Sequence, residues 1–172
     1  MKELRNLAAE FSRPGRLEAI FVRPARGAPV LQPPECRVLE GLGLEGDRSA
    51  GGRGAGKRQV TLFQAEHLPV IAAFLRHTVI DPAALRRNLV ISGVNLLAAR
   101  SLFADRPVRL LLGPDVVLEV TGPCEPCSKM ADRLGPGAYN ALRGHGGVTA
   151  RVLREGKITV GDSVTCRVDI VR

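Results

Sequence analysis

Val108-Arg109-Leu110-Leu111-Leu112-Gly113-Pro114-Asp115-Val116-Val117-Leu118-Glu119-Val120 is the segment that settles the architecture of this chain. Two apolar runs flank Gly-Pro-Asp, which turns the backbone and cannot carry a ladder, so the segment reads as a β-hairpin. Downstream, apolar runs at 148–153, 157–160 and 162–171 are separated by Glu155-Gly156 and Gly161-Asp162, again turn chemistry. Upstream, 17–22, 38–44, 59–63 and 89–91 are short strand candidates, the second punctuated by Gly41 and Gly43. Only residues 64–76 carry a substantial helical pattern, with Leu68, Ile71, Ala72 and Leu75 on one face. Asp81-Pro82 is an N-cap followed by proline at the first helical position, which starts a turn of helix through Leu85. Shorter helices are expected at 2–11, ended by Arg13-Pro14-Gly15, and at 139–142. Short strands at close spacing with few helices predict a mainly β, α+β fold that closes into a barrel-like sheet. One domain is expected over 1–172, its helix at 2–11 and its barrel core over 17–171.

The 172 residues include 45% hydrophobic and 24% charged side chains, which places the chain in the globular range. Aromatics make up only 3%, so the core is aliphatic, and no aromatic platform is available for stacking nucleobases. The 25 Lys and Arg against 17 Asp and Glu give a formal charge of +8, which favours anionic partners. Basic residues are spread along the chain with no long run, so nucleic acid is the weakest of the anionic partners to expect. No segment has the apolar length of a membrane span or a secretory leader, and four cysteines are too few for a disulfide scaffold. A cytoplasmic protein with reduced thiols and no membrane partner is the expectation.

Chemistry concentrates in Thr121-Gly122-Pro123-Cys124-Glu125-Pro126-Cys127-Ser128-Lys129-Met130, followed by Arg143-Gly144-His145-Gly146-Gly147. The Cys-x-x-Cys pair has three uses. A structural zinc site needs a second pair of ligands, which Cys36, Cys166 and His145 do not supply at knuckle spacing. A thioredoxin-like pair needs an alternating α/β setting that this chain lacks, although a disulfide between the two remains open. The third use is a single nucleophilic or metal-ligating thiolate, favoured by Gly, Pro and cations around Cys127, with the other cysteine a bystander or resolving partner.

A second concentration is the glycine-rich loop 46–57, where Arg48, Arg53, Lys57 and the following Arg58 surround a backbone free to approach a phosphate. It does not match the phosphate-loop pattern, since Arg58 follows Lys57. Asp47 can anchor this loop through its own backbone. Arg86, Arg87 and Asn88, between a helical turn and a strand, offer paired guanidinium groups to a carboxylate or phosphate. His67 and His77 read as ordinary helix residues; His145, between glycines, has the better claim to function.

Four ordered blocks, Gly43-Leu44-Glu45-Gly46-Asp47-Arg48, Lys57-Arg58-Gln59-Val60-Thr61-Leu62 with Glu66, Arg86-Arg87-Asn88-Leu89-Val90-Ile91-Ser92-Gly93-Val94-Asn95-Leu96 and Pro126-Cys127-Ser128-Lys129-Met130, make the chain resemble the MOSC domain family, named for the C-terminal domain of molybdenum cofactor sulfurase. The resemblance spans 17–171. It implies a β-barrel-like fold in which Cys127 matches the family cysteine, as persulfide acceptor or molybdenum ligand. Arg48, Lys57, Arg58, Arg87, Asn88, Arg143 and His145 would then line an anionic pocket for the molybdenum cofactor (molybdopterin). Cys124 is an extra, and Ser49 stands where many relatives carry histidine. The partners implied are an anionic cofactor or small molecule and a sulfur donor such as a cysteine desulfurase. Other family activities include molybdenum-dependent reduction of N-hydroxylated compounds. Larger relatives add a pyridoxal-phosphate module or an N-terminal barrel, and neither is expected here.

Overall fold

Alternation of inward aliphatic and outward polar side chains builds the sheet strand by strand. In β6 (Val108–Leu112), Val108, Leu110 and Leu112 are buried while Arg109 and Leu111 are not. In β7 (Val116–Pro123), Val116, Leu118 and Val120 point inward, and outward Glu119 pairs with Arg109 at 2.5 Å. The hairpin registers Leu110 on Leu118 and Leu112 on Val116. The computed structural model describes residues 3–52 and 56–171.

The remaining barrel strands are β1 (Gly15–Ile20), β4 (Val60–Gln64), β5 (Leu89–Ser92), β8 (Val148–Arg154) and β10 (Ser163–Val168). Their order is β1-β10-β6-β7-β8-β4-β5, closed by the pairing of β5 with β1. Closure leaves no open edge in this sheet. All its pairings are antiparallel except β4 with β5, which are parallel. That pair is bridged by α2 (His67–Leu75) and the 3-10 turn Pro82–Leu85, the crossover a parallel pair requires. A smaller sheet, β3-β2-β9, is formed by β2 (Glu35–Leu39), β3 (Gly43–Leu44) and β9 (Gly156–Thr159), and adds Val38, Leu44 and Ile158 to the barrel core.

Outside the barrel, a second cluster seats the helices. Phe63 faces out of β4 against Ile71 of α2 and Leu85 of the 3-10 turn. The same cluster holds Met130 and Leu134 of α3 (Ser128–Leu134), and Ala138 and Leu142 of α4 (Ala138–Leu142). Burying such aliphatic side chains stabilises by roughly 1.5–3 kcal/mol each, so the helices, and the loop that leads into α3, are fixed on the barrel wall.

The sequence expectations of a mainly β fold and a closed barrel hold. Four elements differ. The helix expected at 2–11 is confined to α1 (Leu4–Leu7), which buries none of its residues and is too short to persist alone; Lys2 lies outside the described residues. The stretch 38–44 is not one strand but parts of two, because Leu42 N–H bonds Leu39 O and turns the chain. The last strand stops at Val168, since Asp169 and Val171 donate instead to Pro107 O and Asp105 O. Helix α3 was hidden in a stretch read as turns. Its signals are Met130 and Leu134 at helical spacing and the stop Gly135-Pro136-Gly137.

Candidate functional site

Asp47 organises the near wall of a cleft at the barrel rim. Its Oδ1 accepts from the Ser49 N–H at 2.9 Å and the Ser49 hydroxyl at 2.6 Å, opening the 3-10 turn Arg48–Gly51. Its Oδ2 accepts from Arg23 N–H at 2.9 Å and Asn88 Nδ2 at 3.1 Å. Asn88 in turn accepts from Thr61 N–H and hydroxyl and donates to Phe21 O, so its amide is fully used. This network ties the end of β1, the glycine-rich loop, β4 and β5 together. It also leaves the Asp47 carboxylate with no free lone pair for its cationic neighbours.

The opposite wall is the cysteine loop, fixed by Arg87. Only 2% exposed, Arg87 donates from Nε to Gly146 O at 2.7 Å and from Nη2 to Cys124 O at 3.0 Å and Glu125 O at 3.1 Å. Burial lowers its pKa, with the Cys124 sulfur pulling the other way, yet a guanidinium remains charged throughout the physiological range. Cys124 N–H donates to Gly147 O at 2.8 Å. Glycine is required at both partners: a Cβ on Gly146 would lie 2.3 Å from Cys124 O, and one on Gly147, at φ +88°, would lie 2.1 Å from Leu62 O. The Gly-His-Gly-Gly segment thus serves as a close crossing of backbones.

Beyond that crossing the chain reaches Cys127, which is exposed and sits at the N-cap of α3 with extended backbone, its carbonyl accepting from Met130 N–H at 3.0 Å. Cys127 faces a cleft of about 650 Å³. Arg23 and Arg26 approach it from the turn after β1, Arg48 and Arg58 from the two ends of the glycine-rich loop. Arg86 and Arg87 come from the start of β5, and Lys129 and Arg133 from α3. Among the described residues that line the cleft, these eight cations face one carboxylate, that of Asp47. Among the described residues none of the eight makes an ion pair. Arg23 pays most visibly: its Nη2 is buried without a partner, and burial followed by the Arg86 charge lowers its pKa. An anion entering the cleft would relieve the mutual repulsion of these cations.

Of the residues singled out from sequence, Arg48, Arg58, Arg87, Asn88 and Cys127 line this cleft, and Lys57, Arg143 and His145 do not. Lys57 contributes its backbone carbonyl to Thr121 Oγ1 at 2.5 Å. Arg143 is the exposed C-cap of α4. His145 packs edge-on against His67, with ring centroids 4.8 Å apart, and against Phe74. Burial, then the His145 charge, lowers the pKa of His67. Asn88 lines the cleft but spends its side chain on the protein, and Arg87 mostly does the same. Arg23, Arg26 and Arg133 escaped sequence reading. Arg133 had a usable signal, lying one helical turn from Lys129; the turn arginines 23 and 26 had none, because only barrel closure brings them to β5.

No group of three or more His, Cys, Asp or Glu side chains among the described residues is placed to hold a metal ion. Among the described residues no helix is long and apolar enough to cross a membrane.

Fold and site together define a class: a closed, mostly antiparallel barrel with a cysteine at the lip of a cationic cleft. The chain belongs to the MOSC domain family, whose sequence model matches residues 47–165. Its fold is shared with the YuaD protein of Bacillus subtilis, with a TM-score of 0.74 at 19% identity over 93% of this chain and 98% of that one. YiiM of Geobacillus stearothermophilus gives 0.66 at 20% identity, over 89% and 75% of the two chains. YiiM of Escherichia coli gives 0.62 at 20%, over 91% and 73%. At these identities the likeness carries the fold alone. No curated protein matches the chain.

Proposed function

We propose that this MOSC protein holds an anionic molybdenum cofactor or sulfur-bearing ligand in the arginine-lined cleft, with Cys127 as molybdenum ligand or persulfide acceptor. The observation that carries the reading is an exposed thiol beside eight cations and one internally bonded carboxylate. The residues fit such a cofactor on two counts. The unpartnered Arg23 Nη2 and its unpaired neighbours suit a phosphate, and a thiolate suits a soft metal or sulfane sulfur. Arg23, Arg26, Arg48, Arg58, Arg86 and Arg133 would hold the phosphate-bearing part, and Cys127 the metal. When bound, such a group supplies oxygen-atom or electron-transfer chemistry at molybdenum.

This chain's own residues bind and orient. Guanidinium groups on four separate segments fix an anion from several directions. Arg87, through Cys124 O, Glu125 O and Gly146 O, sets where the loop places Cys127. The thiolate is the form of a cysteine that takes up sulfur or metal.

The experiment is elemental analysis for molybdenum together with intact mass, on wild type and Cys127→Ser purified from cells supplied with molybdate and without reductant. Wild type is expected to carry molybdenum, or to have taken up one sulfur seen as added mass or as a new disulfide at Cys127, and Cys127→Ser none of these, with an unchanged circular dichroism spectrum. Equal loading of the two proteins removes Cys127 from the role.

A further inference from the structure

Cys36 and Cys166 pack against the barrel core, as cysteines acting as small apolar side chains do. Burial pushes the Cys166 thiol up to about 12. Cys124 is buried as well, 2% exposed, but in different company. Arg58, a cleft residue, donates from Nη2 to its sulfur at 3.3 Å, and Arg87 holds its carbonyl. Burial raises the Cys124 pKa while Arg87 and Arg58 oppose the rise, so the resting thiol is protonated and sheltered, beside two cations ready to receive its thiolate. Cys127 follows three residues on, at the N-cap of α3. The first cysteine is locked by Gly147 O and Arg87, and the second is exposed at the cleft.

We propose that Cys124 is the resolving thiol of Cys127: once the Cys127 sulfur is oxidised, the Cys124 sulfur attacks it and a Cys124–Cys127 disulfide forms. One route rests on the sulfur-acceptor reading above. With a persulfide on Cys127, Cys124 gives its proton to water and attacks Cys127 Sγ; the Sγ–sulfane bond breaks and hydrosulfide leaves with the bonding pair. Cys124 is oxidised and the sulfane sulfur reduced. The other route needs no persulfide. A peroxide converts the Cys127 thiolate to sulfenic acid, the same attack breaks the S–O bond, and the departing hydroxide takes a proton to become water. An external thiol reductant restores both thiols by exchange.

The test runs on the full chain, as wild type, Cys124→Ser and Cys127→Ser, under argon. Each protein is treated with inorganic polysulfide or with hydrogen peroxide, quenched in acid, and followed by intact mass, released hydrosulfide and disulfide mapping. Wild type is expected to gain and then lose one sulfur, ending two hydrogens lighter with the Cys124–Cys127 bond mapped. Cys124→Ser is expected to keep the added sulfur and, in peroxide, to proceed to sulfinic acid. If wild type takes up no sulfur, the sulfur-acceptor reading fails, and the peroxide arm alone decides the proposal. A wild-type protein that over-oxidises at Cys127 without the mapped disulfide overturns it, whatever the folding of the Ser variant.

Discussion

Arg87 Nη2 lies 3.0 Å from the carbonyl oxygen of Cys124, so this buried guanidinium is spent on the backbone of the cysteine loop. Two more carbonyls, of Glu125 and Gly146, share that guanidinium. Arg87→Met leaves three carbonyls of the loop without their charged donor. A hydrogen bond to a charged group is worth about 1.5–3 kcal/mol, so a loss of about 3 kcal/mol is expected in urea unfolding. Arg87→Lys, which keeps the charge but cannot fork, recovers less than half.

Asn88 behaves as a brace. Asn88→Asp sets a second carboxylate 3.1 Å from where Asp47 Oδ2 now accepts a bond. Like charges at this distance raise the pKa of one member above its unfolded value. The cost of the substitution is therefore largest at neutral pH, about 2–4 kcal/mol, and shrinks as pH falls through that raised value. Urea midpoints of the two proteins are expected to converge towards pH 4.

Gly146→Ala drives a Cβ to within 2.3 Å of Cys124 O. The loop must shift by more than a side chain can absorb, since the backbone fixes where the Cβ sits and the atom it meets is a backbone carbonyl oxygen. The expected result is a loss of about 1–3 kcal/mol and a changed rate of iodoacetamide alkylation at Cys127. Gly51→Ala, with open space around its Cβ and no left-handed backbone, serves as the comparison for alkylation.

Glu119 gives the barrel wall a pH dependence unrelated to the cleft. Burial pushes its carboxyl up, but hydrogen bonds from Arg109 and Arg151 outweigh that and hold it below the usual carboxylate range. A depressed folded pKa contributes stability above the unfolded value, near 4.3, that is lost as pH falls through the folded one. Glu119→Gln is expected to be less stable than wild type at pH 7 by about 1 kcal/mol, and equal to it in strong acid.

The barrel was legible because its evidence is local. The alternation in 108–120 and the turn tripeptide dictate a hairpin, and a mostly aliphatic strand set leaves few other ways to bury its inner face. Cys127 was legible for the same reason, as a thiol framed by Gly, Pro and Lys129. What the sequence hid depends on closure. Arg23 and Arg133 are far apart in the chain and meet only because β1 pairs with β5 and α3 packs on Phe63. The claim of His145 rested on its flanking glycines, of which Gly146 serves the approach to the Cys124 carbonyl and Gly144 a backbone turn at φ +78°.

The central claim is that Cys127 and the arginines form one site, so that an anion in the cleft is sensed at the thiol. The most direct measurement is the rate of Cys127 alkylation by iodoacetamide against increasing pyrophosphate at fixed ionic strength, in wild type and in the Arg23→Ala/Arg133→Ala double variant. Saturable slowing in wild type, lost in the variant, is the result expected here. A rate indifferent to pyrophosphate in wild type, with pyrophosphate binding seen by calorimetry, would contradict it.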